Sequence, residues 1–169
     1  MGGFLRFVLP EGLYMMYYLY MYLSMLHSAL GAFLRPYIVV GLVLVAVLHQ
    51  AGMMGLYDAL WWYDVMMHGL GGLWVGLFFL AWHKSTPFLP SDTLRQVIRL
   101  LGLVLFVGLM WEMFEAGFDY TIGPQIGFSP LWGDPRQGAL FDSAEDLVLD
   151  MAGGILAYMI IKKHVFVGA

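Results

Sequence analysis

The sequence has no cysteine, little charge and no basic tract, and each absence removes a class of function. Without a thiol among its 169 residues, the chain can form no disulfide, thiolate metal site, cysteine nucleophile or iron–sulfur centre, although this says nothing of the compartment. Charged residues make up 12% of the chain, about half of the roughly 25% usual for a soluble domain. The formal charge is −4 and the eight Lys and Arg residues are dispersed, so nucleic-acid binding has no electrostatic support. What the chain has instead is apolar surface, 61% of its residues being hydrophobic. That composition implies a membrane protein, and one integral membrane domain over 1–169 accounts for its length. No small-residue cleavage site follows a short apolar core near the start, so a signal peptide is not expected.

Five apolar stretches, at about 12–33, 37–57, 64–83, 97–117 and 144–161, are each close to the roughly 20 residues that a helix needs to cross a bilayer. The expected fold is all-α, a polytopic transmembrane helical bundle of about five spans. Pro36 and Tyr37 predict a tight first turn that leaves spans one and two as antiparallel neighbours. The stretch from Lys84 to Ser91 reads as an interfacial loop. The connection from Asp119 to Phe141 is rich in Gly and Pro but carries Phe128, Leu131 and Trp132, which suggests a capping loop folded over the bundle mouth, because irregular backbone is not tolerated facing lipid. Five spans put Arg35, Lys84, Arg95, Lys162 and Lys163 on one side, with Arg99 just inside it, and leave Arg6 and Arg136 on the other. The positive-inside rule then predicts an extracytoplasmic N-terminus and a cytoplasmic C-terminus.

The polar residues of the spans gather at the opposite, extracytoplasmic end: His49 and Gln50, Asp64 and His68, Glu112 and Glu115, then Asp142, Glu145, Asp146 and Asp150. The pairs Asp64/His68, Glu112/Glu115 and Asp146/Asp150 are three or four residues apart, so each lies on one helical face. Three helices can thus aim paired polar groups at one interior volume. Ionised carboxylates in a bilayer cost several kcal/mol even on lenient scales and normally face a cavity or partner. Here Arg136, with Arg6, is too little positive charge, leaving protonation, a metal or interfacial exposure to compensate. The hard oxygen donors and one imidazole suit Mg²⁺, Mn²⁺, Fe²⁺ or Zn²⁺, but the repeated Glu-x-x-His of di-iron bundles is absent. A proton-sharing network is the plainer reading.

Other polar residues read as structural. Asp58 and Glu11 sit at span ends, as do His83 and His164 at the basic end, and His27 suits a helix–helix hydrogen bond. Gly69, Gly71 and Gly72, with Gly153 and Gly154, are expected to let spans three and five approach below the polar cluster. The Gly-Leu-Gly-Gly run has no strand–turn–helix around it and is not a nucleotide fingerprint. The Tyr- and Met-rich first span, from Tyr14 to Met25, reads as lipid-facing or packed on neighbours.

Tyr63-Asp64-x-x-x-His68 with its glycines, Trp111-Glu112-x-x-Glu115, and Phe141-Asp142-x-x-x-Asp146-x-x-x-Asp150-x-x-Gly153 together resemble the YjdF-like family of small bacterial and archaeal inner-membrane proteins, and more distantly the VanZ-like family. The resemblance covers roughly 58–160. It implies an inner-membrane location and matching polar positions at Asp64, His68, Glu112, Glu115, Asp142, Asp146 and Asp150. The VanZ-like pattern has Asp-Lys before its histidine where Val65 follows Asp64 here, and Glu-x-x-Gln where this chain has Glu112-x-x-Glu115. YjdF-like proteins are largely uncharacterised, so no reaction is implied; the VanZ-like association with glycopeptide resistance hints at envelope chemistry.

Three functions remain open on these residues. The first is a metal-dependent enzyme acting on a lipid or lipid-linked envelope molecule, with Glu112, Glu115, Asp146, Asp150 and Asp142 as candidate metal ligands. Asp64 would orient His68 as general base, and Arg136 would meet a phosphate or other anion. The second is a proton- or cation-coupled transporter, for which the apolar basic half of each span is unsuited. The third is a membrane subunit or stress factor in which the cluster fixes packing. Oligomeric state is not specified by the sequence.

Overall fold

The structure is a computed structural model that describes residues 11–85, 93–126 and 139–166. It contains five main helices: α1 (Glu11–Phe33), α2 (Pro36–Ala51), α3 (Tyr63–Ser85), α4 (Thr93–Thr121) and α5 (Ala139–Phe166). No strand occurs among the described residues, as the all-α expectation requires. The two-residue turn before α2 follows from Pro36, which fixes its own φ and lacks the N–H that a first turn would leave unpaired. Arg35 ahead of it is extended (φ −64°, ψ 135°).

Two expectations need correction. The second span is not one helix: it is kinked within Gly52–Leu56, where Gly55 takes φ 119°, and resumes for one turn at Tyr57–Ala59. Only glycine adopts that φ without strain. The long connection is also shorter than expected, because residues 119–121 continue α4, Gly123–Ile126 forms a short helix and α5 starts at Ala139. The remainder of the proposed cap, Arg136 included, lies outside the described residues.

Among the described residues three helical stretches are long and apolar enough to cross a membrane: Pro36–Ala59 (24 residues, through the kink), α3 (23) and α4 (29). α1 and α5 match them in length, at 23 and 28 residues, but α1 is rich in tyrosine and α5 carries its carboxylates in its first half.

α3 is the centre of the bundle, and its contact with α5 is the most extensive among the described residues. α1 and α2 each lean chiefly on α3 and touch one another only sparsely, so the expected neighbours share a common support instead. The Trp74 indole N–H donates to the Ile38 carbonyl at 2.8 Å and fastens α2 to α3. Trp74→Phe is expected to lower stability by about 1 kcal/mol, the usual net worth of one such bond, read as an earlier thermal transition in detergent.

The α3–α5 contact is close because it is made of backbone. A Cβ on Gly72 would collide with the Asp150 carbonyl, and one on Gly153 with the Gly69 carbonyl and the Leu73 amide. One on Gly76 would stand 2.8 Å from Ala157 Cβ, and one on Gly154 2.9 Å from Val104 on α4. Gly69 itself has open space about its own Cβ position, so it serves as the surface against which Gly153 sits. Beneath these contacts Val75, Phe79, Leu80, Leu100, Val104 and Ala157 form the buried apolar core.

The two bundle ends are chemically unlike. At one, Arg35 Nη2 donates to Ser85 Oγ at 2.7 Å, tying the α1–α2 turn to the end of α3, and Lys162 lies over the Tyr158 ring. His83, expected at the interface, is buried there against Phe79. His27, expected to make a helix–helix hydrogen bond, is exposed on α1. Asp58 is exposed, as a residue at a span end should be.

Candidate functional site

The other end of the bundle gathers the acidic residues around one imidazole. His68 rises from the first turns of α3, one turn after Asp64, and is 6% exposed. Its Nε2 stands 3.8 Å from Asp64 Oδ1, 3.7 Å from Asp146 Oδ1 and 3.9 Å from Glu112 Oε1, while Nδ1 stands 3.6 Å from Asp150 Oδ1. Each helical pair therefore delivers its groups to one place. Glu112, Glu115, Asp142, Asp146 and Asp150 are all buried, at 6–8% exposure, whereas the Asp64 side chain is 44% exposed and forms the open rim.

The spacing carries chemical information. All four separations from the imidazole exceed a good hydrogen bond, and Glu112 Oε1 is buried with no hydrogen-bond partner among the described residues. A buried carboxylate oxygen left unsatisfied costs several kcal/mol. Donor atoms each about 2.1 Å from a shared cation stand roughly 3 to 4 Å apart, which is the separation seen around Nε2. Ligand atoms of Asp64, His68 and Asp146, and likewise of His68, Glu112 and Glu115, lie within 4.8 Å of one another. The donor set thus fits a small divalent ion on the Nε2 side of His68. Asp150, on the Nδ1 side, stands where a carboxylate commonly orients a metal-bound imidazole.

Two contributions were not among the sequence candidates. Gly108 of α4 gives the Asp150 carboxylate its room, since a Cβ there would collide with Oδ2 and stand 2.9 Å from Leu147. The Trp111 indole lies close enough to Glu115 to act on its carboxylate, a pairing one helical turn apart that the spacing alone could have suggested. Asp142 is buried one turn before Asp146, outside both close ligand groups. The Lys and Arg side chains described in the structure, at 35, 84, 95, 99 and 162, belong to the basic positions that the sequence assigns to the opposite end.

A helical bundle with several membrane-crossing segments and a buried carboxylate–histidine cluster at one end defines the class: a small multi-pass membrane protein. The family model described as "Predicted membrane protein (DUF2238)" matches residues 15–165, and the chain belongs to that family. This agrees with the YjdF-like resemblance; the match does not extend to a VanZ-like relationship. No curated protein and no solved structure matches the chain.

Proposed function

We propose that the cluster binds a divalent cation and that the protein is a metal-dependent enzyme acting on a lipid or lipid-linked envelope molecule at the extracytoplasmic side of the inner membrane. The observation that carries this reading is the set of acidic oxygens spaced 3.7–3.9 Å from His68 Nε2, with buried Glu112 Oε1 lacking any hydrogen bond among the described residues. In this reading His68 Nε2, Asp64, Asp146, Glu112 and Glu115 surround the ion. Asp150 holds the imidazole from Nδ1, and Asp142 adds negative charge from the next turn. Roles are thereby exchanged relative to the sequence expectation: His68 becomes a ligand rather than the free base, and Asp150 an orienting group rather than a ligand. Arg136 keeps its assignment to an anionic substrate group.

The half-exposed Asp64 gives the ion an open side, the mark of a catalytic rather than a sealed structural site. A divalent ion there would polarise an ester or phosphoryl oxygen and acidify water. The transporter reading is disfavoured by the apolar core directly below the cluster, where Val75, Val104 and Ala157 lie about two turns from His68, Glu112 and Asp150 and put apolar side chains between the cluster and the opposite end.

Elemental analysis of detergent-purified protein tests the ion first. The wild type should carry stoichiometric metal and a Glu112→Gln, Glu115→Gln double variant of matched monodispersity should not. Absence of metal from the wild type, even after exposure to Mg²⁺, Mn²⁺, Fe²⁺ and Zn²⁺, overturns the reading. Ion-dependent turnover of glycerophospholipids or lipid-linked sugars, lost in the same variant, tests the enzymatic part.

A further inference from the structure

The interruption of α2 lies beside the cluster and is built around two polar side chains that the ion reading does not use. His49 Nδ1 and the Tyr57 hydroxyl are hydrogen-bonded at 2.8 Å. Gly52 makes this possible, because a Cβ there would collide with the Tyr57 ring. Gly55, at φ 119°, turns the chain back. The Tyr63 hydroxyl donates to the Leu48 carbonyl at 2.8 Å, which also accepts from the Gly52 N–H, and so ties the kinked end of α2 to the start of α3.

From this break, two contacts lead to the cluster. The Tyr57 ring meets the Tyr63 ring edge-on at 5.3 Å, next in sequence to Asp64, and the Tyr57 hydroxyl lies in electrostatic range of both Asp64 and Glu115. The His49 ring meets Trp111 at 5.2 Å, and Trp111 stands next in sequence to Glu112 and one helical turn before Glu115. An apolar pair at 49 and 57 would pack in the same space without desolvating a phenol and an imidazole.

We propose that Tyr57, held by His49 on the broken end of α2, is a positioning residue of the ion site that fixes its open Asp64–Glu115 side. This rests on the ion-binding reading above. α2 then contributes no ligand but sets the angle at which two ligands meet the ion, as outer-shell groups do in metal sites generally.

Mn²⁺ titration of the purified full-length protein, followed by the electron paramagnetic resonance of free Mn²⁺ and by near-ultraviolet difference absorption, tests the proposal. Tyr57→Phe keeps the ring over Gly52 and removes only the hydroxyl. It should weaken Mn²⁺ binding by about 10- to 100-fold, the usual cost of losing an outer-shell partner, and abolish the tyrosine difference signal. His49→Phe, which keeps an aromatic ring against Trp111, should shift the affinity in the same direction. Tyr120→Phe, at a residue 91% exposed, should leave both readouts unchanged. Wild-type affinity and an intact difference signal in folded Tyr57→Phe overturn the positioning role while leaving the ion site standing. Failure of the wild type to bind Mn²⁺ overturns the ion site and the positioning role with it.

Discussion

Gly153→Ala is expected to prevent the bundle from assembling, whereas Gly102→Ala should be tolerated. Overpacking of a side-chain core typically costs about 1–3 kcal/mol because neighbours can shift, but the atoms facing Gly153 are the Gly69 carbonyl and the Leu73 amide. Backbone inside a helix cannot rotate away, so α3 and α5 would have to separate along their whole contact. The added methyl would thus cost the packing of Gly72 against Asp150 and of Gly76 against Ala157 as well. At Gly102 nothing lies within 4 Å of the added Cβ, and alanine should stabilise α4 by up to about 1 kcal/mol through its higher helix propensity. Size-exclusion profiles and thermal melts of the two variants in one detergent distinguish them. A monodisperse Gly153→Ala protein with wild-type melting would show that the two helices do not meet backbone to backbone.

The second large effect concerns charge. If a divalent ion balances Glu112, Glu115, Asp146 and Asp64, chelation should lower the melting temperature of the wild type. The lost stabilisation follows mass action and amounts to about 2.7 kcal/mol when the ion had been present at 100 times its dissociation constant. In the chelated state the carboxylates repel one another across low-dielectric surroundings. Removing two of them should then help, so Glu112→Gln, Glu115→Gln should melt above chelated wild type and be indifferent to chelator. Paired melts with and without EDTA measure both effects. A wild type whose melting ignores EDTA would turn the assignment toward carboxylates that share protons, which predicts stabilisation on acidification instead.

The parts of this arrangement that follow local periodicity were legible in the sequence. The pairs Asp64/His68, Glu112/Glu115 and Asp146/Asp150 repeat at one helical turn, and their convergence on one volume is what that spacing implies. The glycines of α3 and α5 were legible as a close contact for the same reason, although the registration of Gly153 on the Gly69 carbonyl was not. The His49–Tyr57 pair was hidden. Eight residues of regular helix would separate them by about 12 Å along the axis, and only the kink at Gly55 brings their polar atoms to 2.8 Å. Nothing in Gly-Met-Met-Gly announces that kink within an apolar run. Gly108 was equally silent, since its role depends on a carboxylate from a helix some forty residues later.

The interlock of α5 with α3 and α4 bears on how the chain is put into the bilayer. α5 brings Asp142, Asp146 and Asp150 in its first turns, and a helix with that load enters hydrocarbon reluctantly on its own. The two helices that receive those carboxylates precede it in the chain. During synthesis α3 and α4 are therefore already present when α5 emerges, with His68 and the Gly72 and Gly108 recesses exposed as a docking surface. Insertion of the last helix then becomes an assembly step rather than a partitioning step, so a truncated chain ending before Ala139 should remain membrane-bound while an isolated α5 should not.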